Sequence, residues 1–255
     1  MQHRLNGRAL NAVGWLLMFT LSACSSSGPE RSDEESSAIH LQLGLRYLNL
    51  GRLSEAKSNL KKALSLDSHN AEAHNALAVL SERLKQYDEA AEHYEYALNI
   101  DSGDLSALNN YGRFLCERGE YDKGMSHLKD ALANPLNDRL WLALTNAGRC
   151  ESEKGNLLEA EAYFRQALQY QPNYAPVLLE MQKLSYKKGD YWAAKGFMER
   201  YLATSQHSSE SLWYAYQTER ALGNATAAND LKKQLFDKFP LSDEAKKLIT
   251  DQTAH

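Results

Sequence analysis

Cysteine, excess positive charge, long apolar runs and catalytic motifs are all scarce in this 255-residue chain, and each scarcity removes a class of function. The three cysteines, Cys24, Cys116 and Cys150, include no Cys-x-x-Cys pair, so sequence-encoded zinc and dithiol redox sites are excluded. Acidic residues outnumber basic ones, 33 to 29, which argues against nucleic acid as a partner. The apolar run from Ala9 to Leu21 is about thirteen residues long, short of the roughly twenty that a membrane-crossing helix needs. No Gly-x-Ser-x-Gly, His-Glu-x-x-His or phosphate-cradling glycine loop occurs. Asp and Glu fall mostly on outward helix positions, as a solvated face requires. The chain is therefore read as a non-enzyme without cofactor, metal or small-molecule substrate.

A 34-residue period is what the sequence does contain. Blocks 37–70, 71–104, 105–138, 141–174, 175–208 and 209–242 align, and only Arg139 and Leu140 fall between them. Each block predicts two helices. The first is apolar at places four, seven and eleven, as in Leu108, Tyr111 and Leu115. By the same places His40, Leu43 and Tyr47 are expected to face the core in block one, and His74 in block two. Gly51, Gly119, Gly155, Gly189 and Gly223 end the first helix, and Lys85 stands in that place in block two. The second helix opens near Asp88, Asp122 or Asp190 and stops before Pro135, Pro172 or Pro240. Small residues at place eight, such as Gly44, Gly112 and Gly148, face Ala56, Ala90 or Ala160 at place twenty, where Gly124 stands in block three. Helix backbones can approach closely there.

A single helical pair cannot cover its own apolar stripe, so the expected architecture is an all-α superhelical solenoid of six helix-turn-helix units with a concave face. These positions resemble the tetratricopeptide repeat. The resemblance is weakest in block six, where Tyr216 replaces the small residue at place eight and Lys232 and Leu235 replace the usual aromatic and alanine. Residues 243–255 are expected to cap the last unit.

The N-terminus resembles a bacterial lipoprotein signal. Arg4 and Arg8 precede the apolar run, and Leu21-Ser22-Ala23-Cys24 follows it. The resemblance implies a signal peptide over residues 1–23, lipid on Cys24 and, with Ser25 next, sorting to the periplasmic face of the outer membrane. Cleavage would remove two arginines and no acid, leaving 27 basic against 33 acidic side chains and a net charge of −6. Residues 24–36, polar and rich in serine, read as a flexible tether.

Cys116 and Cys150 lie on neighbouring first helices, 34 residues apart, in a compartment that permits a disulfide. Pairing and a pair of buried apolar thiols both remain open on the residues alone.

The concave face is expected at places two, five, nine and twelve of each first helix. Leu41, Leu45 and Leu48 stand there in block one, with Asn75 and Val79 in block two, and form the candidate partner-binding surface. Asn109, Arg113, Arg149 and Lys183 form a secondary groove, with Asn110 and Asn146 nearby, which could hold an extended peptide; alternatively Glu117 and Glu153 satisfy Arg113 and Arg149 along the helix surface. Leucines at 41 and 45, in place of lysine and asparagine, disfavour a clamp for chaperone C-terminal tails.

The runs Asn109–Cys116 and Ala143–Cys150, with Asn134-Pro135-Leu136 between them, resemble the type IV pilus biogenesis lipoproteins of the PilF/PilW family. That resemblance implies a pilotin-like adaptor that helps the pilus secretin assemble, or contacts other pilus assembly proteins. It implies a contact groove at Leu41, Leu45 and Leu48, and correspondence of the family's paired cysteines to Cys116 and Cys150. A general envelope scaffold that docks peptidoglycan enzymes or outer-membrane assembly factors is the alternative the same fold would serve.

Overall fold

A computed structural model describes residues 32–253; the expected signal peptide, Cys24 and the first part of the expected tether lie outside the described residues. Thirteen helices and no strand occur among the described residues. They pair as α1 (Asp33–Asn49) with α2 (Leu53–Leu66), α3 (Ala71–Arg83) with α4 (Tyr87–Ile100), and α5 (Leu105–Glu117) with α6 (Tyr121–Ala133). The series continues with α7 (Leu140–Lys154) and α8 (Leu157–Tyr170), α9 (Ala175–Lys187) and α10 (Tyr191–Leu202), and α11 (Ser209–Ala221) and α12 (Ala225–Lys238), and ends with α13 (Asp243–Thr253). The backbones of consecutive first helices come within 8 Å of one another, α1 with α3 and so on to α9 with α11, whereas those of consecutive second helices stay farther apart and α2 and α4 meet only through the Lys57–Glu89 ion pair. The superhelix therefore curves with the first helices on its concave side.

Helix α1 starts inside the stretch expected to be a tether. Ser32 caps it, accepting from Glu35 N at 3.1 Å, and Asp33, Glu34 and Glu35 fill the first turn, where negative charge suits the helix dipole. Four residues of the 24–36 segment are thus helical. At the other end, α13 packs on α11 and α12 and buries Ala245 and Leu248 beside Leu212 and Leu235.

Close approach of the paired helices follows from small residues, with one difference from expectation. A Cβ on Gly44 would lie 2.6 Å from Leu60, and one on Gly148 would lie 2.5 Å from Phe164. Place eight thus makes room chiefly for the large side chain at place twenty-four. Around Gly112 and Gly124 the backbones themselves meet, since a Cβ on Gly124 would stand 2.6 Å from the Gly112 carbonyl oxygen.

Lys85 takes the glycine role at the end of α3 with φ +59°, a left-handed conformation that L-residues adopt at a cost. In α10, by contrast, a methyl group added at Gly196 would meet nothing within 4 Å. Gly196→Ala is expected to stabilise the protein by about 0.5–1 kcal/mol in urea unfolding, through lower backbone entropy in the unfolded chain. Gly155→Ala, at φ +94°, should act in the opposite direction.

The apolar stripes of α1 differ from the sequence expectation. Ser37, Leu41, Gly44 and Leu48 are its buried residues, packed on α2 and α3, while Leu43 is 37 % exposed and His40 and Tyr47 are half-buried. In later repeats, places four, seven and eleven pack on the preceding second helix, as Tyr111 does on Tyr94. No such helix precedes α1 among the described residues, so its Leu43 face lies bare. His74 is likewise half-buried, its Nδ1 3.1 Å from that of His93.

Candidate functional site

Four of the five residues expected to hold a partner line one concave cavity. Leu45 and Leu48 from α1, Asn75, Val79 and Arg83 from α3, and Asn110 from α5 surround about 390 Å³. Leu41 is not among them. At 4 % exposure it belongs to the core beneath, with Leu60 and Leu77, and its assignment as a contact residue is corrected on that ground. Leu48 is also 4 % exposed, so it forms the cavity floor and Leu45 and Val79 supply the reachable apolar surface. Arg83 was not singled out from sequence. Its Nη1 donates to the Leu48 carbonyl at 2.6 Å, beside the Gly51 N–H that the same carbonyl accepts at 3.1 Å, and so ties α3 to the end of α1 at the wall of the cavity.

A second cavity of about 370 Å³ continues from the first, with Ser106 and Asn110 common to both. Asn109, Asn137, Arg139 and Leu142 complete much of its wall. Residues 134–139 link α6 to α7, and Asn137 Nδ2 donates to the Ala131 carbonyl at 2.8 Å to brace the link. The signal for this wall was present in the sequence as the interruption of the period at Arg139 and Leu140.

The basic row of the secondary groove is engaged by carboxylates. Arg113 Nη2 reaches both Glu82 oxygens at 2.9 Å and Nη1 reaches Glu117 at 2.9 Å. Glu82 also accepts from the Tyr94 hydroxyl. Burial alone would lower the Arg113 pKa, but Glu82 and Glu117 outweigh it and hold the guanidinium charged. Arg149 bonds Glu180 of the next repeat at 2.9 Å, not Glu153. Lys183 bridges Glu180 at 3.0 Å and Glu210 at 2.8 Å. Glu153 is left beside other acids: burial first, then Glu117 and Glu180, raise its pKa. Such pairs brace successive first helices against one another and do not offer an open cationic track to an anionic ligand.

The amides behave differently. Asn110 Nδ2 donates to Asn75 Oδ1 at 3.1 Å, and Asn146 Nδ2 donates to Asn109 Oδ1 at 3.0 Å, each pair joining two repeats. Cys116 of α5 and Cys150 of α7 are joined through sulfur with Cα atoms 5.3 Å apart, in a pocket with Met125, Leu128 and Ala147. Among the described residues no group of three or more His, Cys, Asp or Glu is placed to hold a metal, and no helix is long and apolar enough to cross a membrane.

Helical hairpins with a lined inner groove define a class, and residues 41–107, 83–147 and 143–174 each match the tetratricopeptide repeat family. Over 235 residues, 90 % of this chain and 93 % of the relative, the sequence is 31 % identical to the type IV pilus assembly protein PilF of Pseudomonas aeruginosa. The crystal structure of PilW, a widely conserved type IV pilus biogenesis factor, superposes with a TM-score of 0.77 at 30 % identity, covering 84 % of this chain and 98 % of PilW. The Pseudomonas aeruginosa PilF structure gives 0.75 at 29 %, covering 87 % and 100 %. The chain belongs to this family of tetratricopeptide-repeat proteins of type IV pilus biogenesis.

Proposed function

We propose that this protein is a pilotin-like adaptor, lipid-anchored through Cys24 to the periplasmic face of the outer membrane, which binds the type IV pilus secretin and helps it assemble there. The single observation that carries the binding site is the cavity on repeats one to three, where Leu45 and Val79 present apolar surface beside the polar amide of Asn75. A groove with reachable apolar side chains and a few placed polar groups is what a polypeptide ligand needs. Ordering of the solenoid is complete before the partner arrives, and a shared membrane raises the partner's local concentration, so modest intrinsic affinity suffices. In the oxidising periplasm the Cys116–Cys150 bond would persist.

Replacing Leu45 and Val79 together with aspartate is the test. Both side chains are only partly buried, so the helical circular dichroism should be unchanged while secretin co-isolated from outer membranes falls about tenfold or more. Equal recovery of secretin with this variant would remove the groove from the binding account. The anchor has its own check: Cys24→Ser should release the protein from the outer-membrane fraction and lower the yield of secretin multimers, and undiminished multimers would contradict the role given to the lipid.

A further inference from the structure

The outer face of α1 holds the places that later repeats pack on a preceding second helix, and among the described residues no helix covers it. At 3.6 residues per turn, Ser36, Ile39, Tyr47 and Leu50 lie within about 40° of Leu43 around the helix, and Arg46 and His40 border the face at about 60°. Leu43 is 37 % exposed and Leu50, the cap residue, 62 %. No carboxylate of α1 stands on this face, since Asp33 and Glu35 lie about 80° to either side of Leu43 and Glu34 lies opposite it. Arg46 makes no ion pair among the described residues. Arg52, held by Glu55, lies over the Tyr47 ring at 4.7 Å. The face is thus apolar, bordered by a cation and free of acid.

Residues 25–31 of the same chain, Ser-Ser-Ser-Gly-Pro-Glu-Arg, bring little apolar surface to cover it. A second copy pairing α1 on α1 would bring another Arg46 and no acid on its face to meet the first. A phospholipid surface complements both features: acyl carbons receive the leucines, headgroup phosphates accept from the guanidinium, and a tyrosine ring suits the boundary between them. The covalent chain selects the same occupant. Ser32 follows Cys24 by eight residues, which span at most about 28 Å when fully extended. Each further repeat is set back by about another 8–10 Å, the spacing of packed helices. Lipid on Cys24 would therefore hold the bare edge of the solenoid nearest the bilayer.

We infer that the outer face of α1 lies on the anionic phospholipid surface to which Cys24 is tethered, with Leu43 and Leu50 among the outer acyl carbons and Arg46 on headgroup phosphates. This rests on the lipid anchor at Cys24 and adds an orientation that an anchor alone leaves free. The bilayer takes the place that a preceding second helix holds in later repeats. Leu45 and Val79, the reachable apolar wall of the groove, then open beside the bilayer, where a partner segment held at the same membrane can enter. Helix α13, at the other end of the solenoid, is kept away from the surface.

The test uses the full chain reconstituted into vesicles of phosphatidylethanolamine and phosphatidylglycerol. A nitrobenzoxadiazole label is placed on Leu50→Cys or, as control, on Leu241→Cys, which is 85 % exposed between α12 and α13. Cys116 and Cys150 are joined to each other and do not take the label. Flotation with the vesicles reports the anchor, and quenching by nitroxide-bearing lipid reports the face. Quenching at position 50 should exceed that at position 241 by about threefold or more, and Arg46→Glu should lower it about twofold while flotation and helical circular dichroism stay unchanged. A chain that floats with both labels quenched alike overturns the inference and leaves the anchor standing. So does a label at position 50 that is shielded from aqueous iodide yet unquenched by lipid, the sign of a second copy or another protein on the face. Quenching that Arg46→Glu leaves unchanged overturns it as well, because phosphate would then not be read. A chain that fails to float refutes the anchor, and the orientation falls with it.

Discussion

Replacing both Cys116 and Cys150 with alanine is expected to lower stability by about 3–4 kcal/mol in urea unfolding. The cross-link closes a loop of 34 residues in the unfolded chain, and the entropy it removes from that state grows with loop size. Its position adds to the effect. It ties α5 to α7 across the junction where Arg139 and Leu140 interrupt the 34-residue period. Both sulfurs are buried against Met125, Leu128 and Ala147, and alanine leaves part of that volume empty. Helical circular dichroism before unfolding should be retained. The parent chain unfolded in dithiothreitol should approach the variant, and identical midpoints for oxidised parent and variant would show that the link contributes nothing.

The second large effect is expected within one helix. Leu41→Asp should cost about 4 kcal/mol or more and melt the first repeat, because an unpaired carboxylate would sit among Leu60, Ala63 and Leu77 at a site 4 % exposed. Leu45→Asp, one helical turn away but bordering the cavity, should cost no more than about 1 kcal/mol, since the charge can reach water. Thermal melts of the two single variants make the comparison directly. Equal destabilisation would mean that Leu45 belongs to the core and would leave the groove without its apolar wall.

That pair of leucines also marks where sequence reasoning ran out. The 34-residue period, the glycines that end the first helices, and the prolines that follow the second helices at Pro135, Pro172 and Pro240 are local signals, and the helix pairs follow them closely. Lys85 was visible as an exception and adopts the left-handed conformation of the glycine it replaces. The facing of α1 was not legible by analogy with later repeats. Places four, seven and eleven are core only when a second helix precedes them, and for Leu43 none does among the described residues. Ion pairing was legible only within a helix. Arg113 to Glu117 obeys the four-residue rule, but Arg113 to Glu82 and Arg149 to Glu180 join residues 31 apart, a spacing set by superhelical packing. The asparagine pairs, at separations of 35 and 37, are of the same kind.

The central claim, that the concave face of repeats one to three holds a secretin segment, is tested most directly by site-specific photo-crosslinking in living cells. A photoreactive residue at Val79, on the cavity wall, is predicted to yield a covalent adduct with the secretin, whereas the same residue at Trp192, which is 71 % exposed on the second helix of repeat five, should yield none. Adducts to secretin from Trp192 alone, with none from Val79, would contradict the account.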